Sequence, residues 1–355
     1  MKLPLLNIGL IGFGRIAELV HLRTLMSLPG VVVGGVSEHD PKRMQQVWQR
    51  APHAGTFANY HDMLRDSEVE AVVICLPPAQ HADAAIAAFQ SGKHVYIEKP
   101  IAPSLEEAQA VHTAWRASGK VGMMGFNFRC HPLYQQLRAL IRAGTYGAVM
   151  GASSLFTTQA RQIPIWKEKR ATGGGILLDL ASHHVDLVGY LFPDPIMGVS
   201  AFEHSSQSEA DNATLALRLE SGALIQSLFS STSVNAHRFE VYFQQAKVVV
   251  DLAQPDGLAV TEKTTFITRR QKLATALRSL APRRLLRTPG YEPSFSRSLS
   301  AFASAVRSED GADHAHTANI DDGRRCLEVI LAAEESSRTK KQVDLVPFAA
   351  SVAAP

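Results

Sequence analysis

The chain has 355 residues, 46% of them hydrophobic, and a formal charge of +3. That length and apolar share support two domains with separate cores. The small charge, with no arginine-rich arm interleaved with aromatics, argues against nucleic acid as a partner. Cys75, Cys130 and Cys326 lie far apart without a C-x-x-C pair, which speaks against a disulfide framework and a thiolate zinc site, and no metal is expected. The opening MKLPLLNIGLIGFG lacks a small-residue cleavage site, so its apolar run reads as a first strand rather than a signal peptide. No apolar stretch reaches the roughly 18 residues of a membrane span, and a soluble, cytoplasmic protein is expected.

Residues Asn7 to Ile11 read as a buried strand. Gly12-Phe13-Gly14-Arg15-Ile16-Ala17 follows at once and opens an amphipathic helix to about Ser27. This is G-x-G-x-x-A between strand and helix, the context in which the pattern signals a dinucleotide. Gly12 permits the tight turn, Gly14 the approach of a pyrophosphate and Ala17 the packing of helix on strand. The free N–H groups at Gly14, Arg15 and Ile16 face the phosphates. A second strand, Val31 to Val36, should end in the residue that chooses the cofactor, because an acidic group there holds an adenosine 2′-hydroxyl and repels a 2′-phosphate. Ser37 stands at the expected place and removes that exclusion, while Glu38 behind it partly restores it. The cofactor is NAD or NADP, with a slight lean to NAD.

Ala71 to Cys75 is the next strand, Pro77-Pro78 a loop and His81 to Gln90 an alanine-rich helix. His94 to Ile97 is a strand stopped by Glu98-Lys99-Pro100. A charged pair at the carboxyl end of a parallel strand sits where open α/β sheets bind ligands. There a partly desolvated lysine near positive charge can accept or relay a proton, so Lys99 is a catalytic candidate. Ser104 and Glu107 form a capping box for a further helix, and Val121 to Phe126 closes the doubly wound half near Gly125.

From His131 a helix runs to Ala143, followed by closely spaced strands: Val149 to Phe156, Ile196 to Phe202, Ala213 to Leu219, Ala223 to Ser231, Arg238 to Phe243 and Lys247 to Asp251. They read as an antiparallel meander. Between the first two lies the loop Gln159 to Thr172, with Arg161, Trp166, Lys167 and Lys169, which reads either as a solvated connection or as a cover for a polyol or its phosphate; Trp166 is its candidate for substrate contact. The loop leads into GGGILLDLASHHVD, Gly173 to Asp186. That helix is apolar almost all round and therefore buried. Yet Asp179, His183 and Asp186 fall within an arc of about 60° on one face. A buried polar row is costly unless it is paired or lines a cavity, so the row reads as an active-site wall. Lys263 to Arg287 carry eight Lys or Arg and no acid, and read as a surface or interface helix, with an anionic membrane surface or a sugar-nucleotide diphosphate as alternative partners. Helices over Phe295 to Arg307 and Asp321 to Arg338, and a short strand Val343 to Val346 returning to a sheet edge, complete the chain.

From the GFGRIA turn and His21, through Leu76-Pro77-Pro78-Ala79-Gln80-His81 and Glu98-Lys99-Pro100, to Gly125-Phe126-Asn127-Phe128-Arg129 and Gly173-Gly174-Gly175 with Asp179, His183 and Asp186, the chain resembles the glucose–fructose oxidoreductase, inositol dehydrogenase and rhizopine-catabolism (Gfo/Idh/MocA) family. The resemblance implies an α/β fold: an N-terminal Rossmann dinucleotide-binding domain over residues 1–125, and a C-terminal α/β domain with a large open, mostly antiparallel sheet over 126–346. Residues 347–355 are then a frayed tail, and the sheet is the expected homo-oligomer interface, in a dimer or tetramer. It implies that Lys99 and His183 are the acid/base groups and that Asp179 orients His183 or a substrate hydroxyl. Leu76, Pro77, His81, Glu98 and Lys99 join Gly12, Phe13, Gly14, Arg15, Ile16, Ser37 and Glu38 around the cofactor. Arg129, Trp166, Asp179 and His183 face the substrate. The Lys99–Pro100 bond is expected cis. The function implied is an NAD(P)-dependent oxidoreductase acting on a secondary alcohol of a sugar, cyclitol, sugar derivative or sugar nucleotide. The alternatives are a redox-neutral glycosidase or epimerase-type enzyme that retains its cofactor, and a non-catalytic dinucleotide sensor.

Overall fold

The computed structural model describes residues 5–65, 68–160, 164–254, 257–263, 292–307 and 314–346. Arg161, the basic segment from residue 264 to 287 and the tail 347–355 lie outside the described residues. The first half alternates strand and helix. β1 (Leu6–Ile11) leads through the glycine turn into a π-helical turn, Ala17–His21, continued by α1 (Leu22–Ser27). Then come β2 (Val31–Ser37), α2 (Pro41–Arg50), β3 (Gly55–Phe57), α3 (Tyr60–Arg65), β4 (Ala71–Ile74) and α4 (His81–Gln90). β5 (His94–Ile97), α5 (Leu105–Ser118) and β6 (Gly122–Met124) complete this half. The sequence reading names no element between Val36 and Ala71, although α2 carries an ordinary start signal. Asp40 accepts from the Lys42 N–H, and Pro41 opens the helix. Ser104 caps α5 by accepting from the Glu107 N–H, but its hydroxyl donates to the Glu107 carboxylate at 2.9 Å, so the reciprocal arm of the expected box takes a different form.

In the second half, α6 (Pro132–Arg142) precedes β7 (Val149–Thr157). A second π-helical turn, Leu177–Ala181, runs into α7 (Ser182–Leu191). β8 (Ile196–His204), β9 (Asn212–Leu219), β10 (Leu224–Ser230), β11 (Ala236–Phe243), β12 (Ala246–Asp251) and β13 (Leu258–Glu262) follow. After the helix Pro293–Val306 come β14 (Ala318–Asn319), the long helix Ile320–Thr339 and β15 (Val343–Asp344).

The first sheet has the order β14-β6-β5-β4-β1-β2-β3, with β14 antiparallel on an otherwise parallel sheet. Helices cover both faces, so its strands are apolar almost without alternation. Ile74, Val95 and Ile97 face one core; Ile8, Leu10, Val73 and Tyr96 face another, which Leu299 and Phe302 of the helix Pro293–Val306 complete. That helix and β14 thus return to the first sheet, beyond the break expected at residue 125. The second sheet has the order β13-β12-β11-β7-β10-β9-β8-β15. It is not a pure meander. The hairpins β8–β9–β10 start at the far edge and fold inward, so β10 arrives beside β7 and pairs with it in parallel. β15 pairs with β8 at the edge, as expected. The long helix Ile320–Thr339 packs on β8, α7 and α5 and so joins the two halves.

Phe239 of β11 is fully buried among Tyr134, His184 and Phe192. Phe239→Ala should lower the unfolding free energy by about 3–5 kcal/mol, the usual cost of emptying a buried aromatic site. Urea unfolding measures it, and a loss below about 1 kcal/mol would mean the layer collapses around the gap.

Candidate active site

The carboxyl ends of β1, β2, β4 and β5 converge on one edge of the first sheet. Gly12 has φ of +86°, and a Cβ there would meet Leu76 at 2.9 Å and the Cys75 carbonyl oxygen at 3.1 Å, so only glycine makes this turn. Gly14 differs: its nearest neighbour to an added Cβ is the Cys75 oxygen at 3.9 Å. The space above Gly14 is open to a close-approaching ligand, which fits a pyrophosphate. Phe13 buries its ring in the core and lends only its backbone, and Arg15 is exposed. Ser37 is buried and paired in β2, and its carbonyl accepts from the Gly12 N–H at 2.8 Å. Glu38 is the acidic group that reaches the glycine turn: its carboxylate accepts from the Phe13 N–H at 2.8 Å and from the Asp40 N–H at 2.9 Å. Of the two residues weighed at the end of β2, Glu38 is thus the one whose carboxylate meets the glycine turn, while Ser37 contributes its backbone carbonyl.

Lys99 stands just past the tip of β5, and its bond to Pro100 is cis. Its ammonium donates to the Asp179 carbonyl at 2.6 Å and to the Asp179 carboxylate at 2.8 Å. The other carboxylate oxygen accepts from Lys167 at 2.7 Å. Burial alone would raise the Asp179 carboxyl, but the Lys99 and Lys167 charges overcome it and hold the group far below the usual carboxylate range. Asp179 thus orients two lysines rather than His183. The glycines set up this geometry. A Cβ on Gly173 would press on the Pro78 ring at 3.1 Å, and one on Gly174 would lie 2.3 Å from the Lys167 carbonyl oxygen. The loop carrying Trp166 and Lys167 can pass there only because position 174 has no side chain.

His183 lies one turn beyond Asp179, against Phe128 (ring centroids 4.8 Å apart) and Phe156 (6.1 Å). Its ring is half-buried, and its enclosed Nδ1 has no partner among the described residues. An unpaired N–H is costly in such a place, which favours the tautomer that carries the ring proton on Nε2. Burial, followed by the Lys99 charge, drives its pKa well down and keeps the ring neutral. Behind it, His184 hydrogen-bonds Ser154 at 2.8 Å and His237 at 3.1 Å, and His237 meets the Tyr134 hydroxyl at 3.2 Å. Burial lowers His184 to about 3 and His237 well below its ordinary value.

Several expected residues are placed as supports. The Arg129 guanidinium donates to Asp186 at 2.7 Å and 2.9 Å, to Asp322 at 3.1 Å and to the Thr317 carbonyl at 3.1 Å. Arg129 is buried and committed on all its nitrogens, which corrects its expected contact with substrate; Asp186 likewise leaves the polar row for this interior pair. His81 is buried with its ring nitrogens against the Pro100 carbonyl (2.6 Å) and the Leu76 carbonyl (2.8 Å), so it braces the Leu76-Pro77 loop and the turn after Lys99. Glu98 hydrogen-bonds the buried His21 ring at 2.7 Å. Trp166 is half-buried on the loop, with the Lys167 ammonium 5.3 Å from its ring centre. Lys167 was visible in the loop sequence, but nothing in its spacing marked it as a partner of Asp179.

A family model described as "Oxidoreductase family, NAD-binding Rossmann fold" matches residues 6–126, and one described as "GFO/IDH/MocA C-terminal domain" matches residues 134–249. The chain is 24% identical over 351 residues to myo-inositol 2-dehydrogenase of Thermotoga maritima, covering 96% of this chain and 98% of that protein. It is 27% identical over 251 residues to scyllo-inositol 2-dehydrogenase (NAD(+)) of Bacillus subtilis, covering 68% and 72%. Among solved structures, the WlbA dehydrogenase of Bordetella pertussis, in complex with NADH and UDP-GlcNAcA, superposes with a TM-score of 0.81 at 19% identity, covering 98% of this chain and 99% of that one. Among the described residues, no helix is long and apolar enough to cross a membrane.

The histidine cluster carries a pH signature. His183, His184 and His237 have folded values lowered from the ordinary 6.5. The unfolded chain therefore binds protons that the native state refuses. Their contribution is full above pH 6.5 and is lost as pH falls through that value toward the folded ones. Unfolding free energy measured in urea should fall between about pH 7 and about pH 5, by at most about 1.4 kcal/mol per unit for each ring. A flat curve over that window would show that the rings are already charged in the native protein.

Proposed function

Since the chain belongs to the GFO/IDH/MocA oxidoreductase family and is an NAD(P)-dependent dehydrogenase, we propose that it acts on a secondary alcohol of a sugar, cyclitol or related polyol, with Lys99 as the group that takes the hydroxyl proton. The observation that carries this reading is the Lys99 amine, held at 2.8 Å by Asp179 at the carboxyl edge of the parallel sheet, with a neutral His183 one helical turn beyond Asp179 and near enough to feel the Lys99 charge. A bound nicotinamide supplies the two-electron hydride chemistry. The turn Gly12 to Ile16 and Glu38 would hold the dinucleotide; Leu76 and Pro77 would flank it.

The protein's own part is aim and proton handling. Lys99 accepts the proton as the carbon is oxidised and returns it in the reverse direction. His183 donates from Nε2 to the same oxygen or its neighbour; as a neutral ring it stabilises developing negative charge without surrendering its proton. Asp179 fixes the Lys99 amine through both its backbone and its carboxylate. Trp166 would cover an apolar face of a ring-shaped substrate, a common arrangement for sugars. The activities of the two inositol 2-dehydrogenase relatives support a polyol. A homo-oligomer is supported by the outward face of the second sheet. There Phe202, Leu224, Leu228 and Tyr242 share one side and stay between 42% and 62% exposed.

A thermal-shift screen with NAD, NADH, NADP and NADPH, then with cyclitols, free sugars and UDP- or GDP-sugars, identifies the substrate. On that substrate Lys99→Ala should lower kcat by about 100-fold or more while sparing cofactor affinity; near-normal turnover removes Lys99 from the chemistry. Glu38→Ala should raise the ratio of NADP to NAD affinity by about tenfold or more, since it deletes the carboxylate that opposes a 2′-phosphate. An unchanged ratio shows that selection lies elsewhere.

A further inference from the structure

We propose that Lys167 is a positioning residue for the proton acceptor: its ammonium offsets the Asp179 carboxylate, so that Lys99 can lose its own proton and take one from substrate. The proposal rests on the reading of Lys99 as the acceptor. A lysine bound to a carboxylate at 2.8 Å is ordinarily locked in its charged form, which makes it a poor base. Here the carboxylate is shared. Lys99 meets one oxygen at 2.8 Å, and Lys167 meets the other at 2.7 Å. With both lysines charged the trio carries one excess positive charge in a partly desolvated place, where Coulomb interactions are strong. Release of one proton leaves a neutral trio.

The geometry shows which lysine releases it. A neutral Lys99 amine has two N–H groups, and two acceptors face it, the Asp179 carbonyl and carboxylate. Both bonds survive deprotonation, and the lone pair is left over for the incoming proton. Lys167 is better placed to stay charged: it is twice as exposed as Lys99, 24% against 12%, and its ammonium lies 5.3 Å from the centre of the Trp166 ring, a stabilising arrangement for a cation. The other titratable groups around Lys99 do not do this work. On α7, the neighbouring His183 is neutral; on α4, burial lowers His81; on the long helix Ile320–Thr339, burial keeps the Cys326 thiol protonated. Glu98, next to Lys99 in the chain, is turned to His21.

The test reads Lys99 directly and needs no substrate. The whole protein is trace-labelled with acetic anhydride across a pH series, and acetylation at Lys99 is quantified by peptide mass spectrometry. In Lys167→Met and Lys167→Gln the pH of half-maximal Lys99 reactivity should rise by about one unit or more, which is about tenfold less labelling below the midpoint. Lys167→Arg, which keeps the charge, should leave the midpoint where it is. Thermal melting confirms that each variant is folded, and the two neutral variants guard against one failing. An unmoved midpoint in the neutral variants overturns the proposal, and so does an equal shift in Lys167→Arg, which would make loop shape rather than charge responsible. Failure of the Lys99 reading itself would show separately, as turnover surviving in Lys99→Ala.

Discussion

One carboxylate fastens the two halves of this protein. Asp179 belongs to the buried helix of the second half. Its backbone carbonyl and one carboxylate oxygen are held by Lys99 from the tip of β5 in the first half, and its other oxygen by Lys167 from the overlying loop. Burying that carboxylate would be prohibitive without cationic partners. The same need that stabilises it therefore dictates where the strand tip, the helix and the loop must meet. In the proposed mechanism, structural necessity and proton chemistry draw on the same three side chains.

The surroundings hold this junction rigid. Glu98 and Lys99 are adjacent in sequence but gripped from opposite sides: Glu98 by His21 on one π-helical turn, Lys99 by Asp179 on another. Such turns widen a helix by one residue and recur at functional sites. Deeper in, Arg129 ties α7 to the long C-terminal helix through Asp186 and Asp322, and a buried pair of this kind is strongly destabilising to break because one charge would be left alone. Above, Gly14 leaves space open near the Glu38 carboxylate, while the absent side chain at Gly174 admits the Lys167 loop. The polar groups near the site thus divide into a few that face a ligand and more that hold those few in place.

The residues divide in the same way by how legible they were. The G-x-G-x-x-A turn, the E-K-P strand tip and the triple glycine could be read directly, since each depends on local backbone geometry and chain order. The helical row was read less well. Counting 100° per residue put Asp179, His183 and Asp186 on one wall, but the π-helical turn through Asp179 changes the phase, and Asp186 found Arg129 instead. Arg129 was expected to face substrate from the likeness of its motif to the family's, but two carboxylates inside the protein hold it instead. At the end of β2 the sequence offered both Ser37 and Glu38, and only the folded turn showed that the Glu38 carboxylate reaches the Phe13 N–H.

By itself the sequence determined the class of fold, the place of the dinucleotide turn and the identity of Lys99, Asp179 and His183 as a group, because those follow from periodicity, glycine placement and motif order along one chain. Only the tertiary structure decided who partners whom. The pairing of Asp179 with Lys167, the parallel contact of β10 with β7, and the return of β14 to the first sheet join residues remote in the chain or set by loop path. No local pattern encodes them, for they are set by which charges and which strand edges remain uncompensated once the two cores have closed.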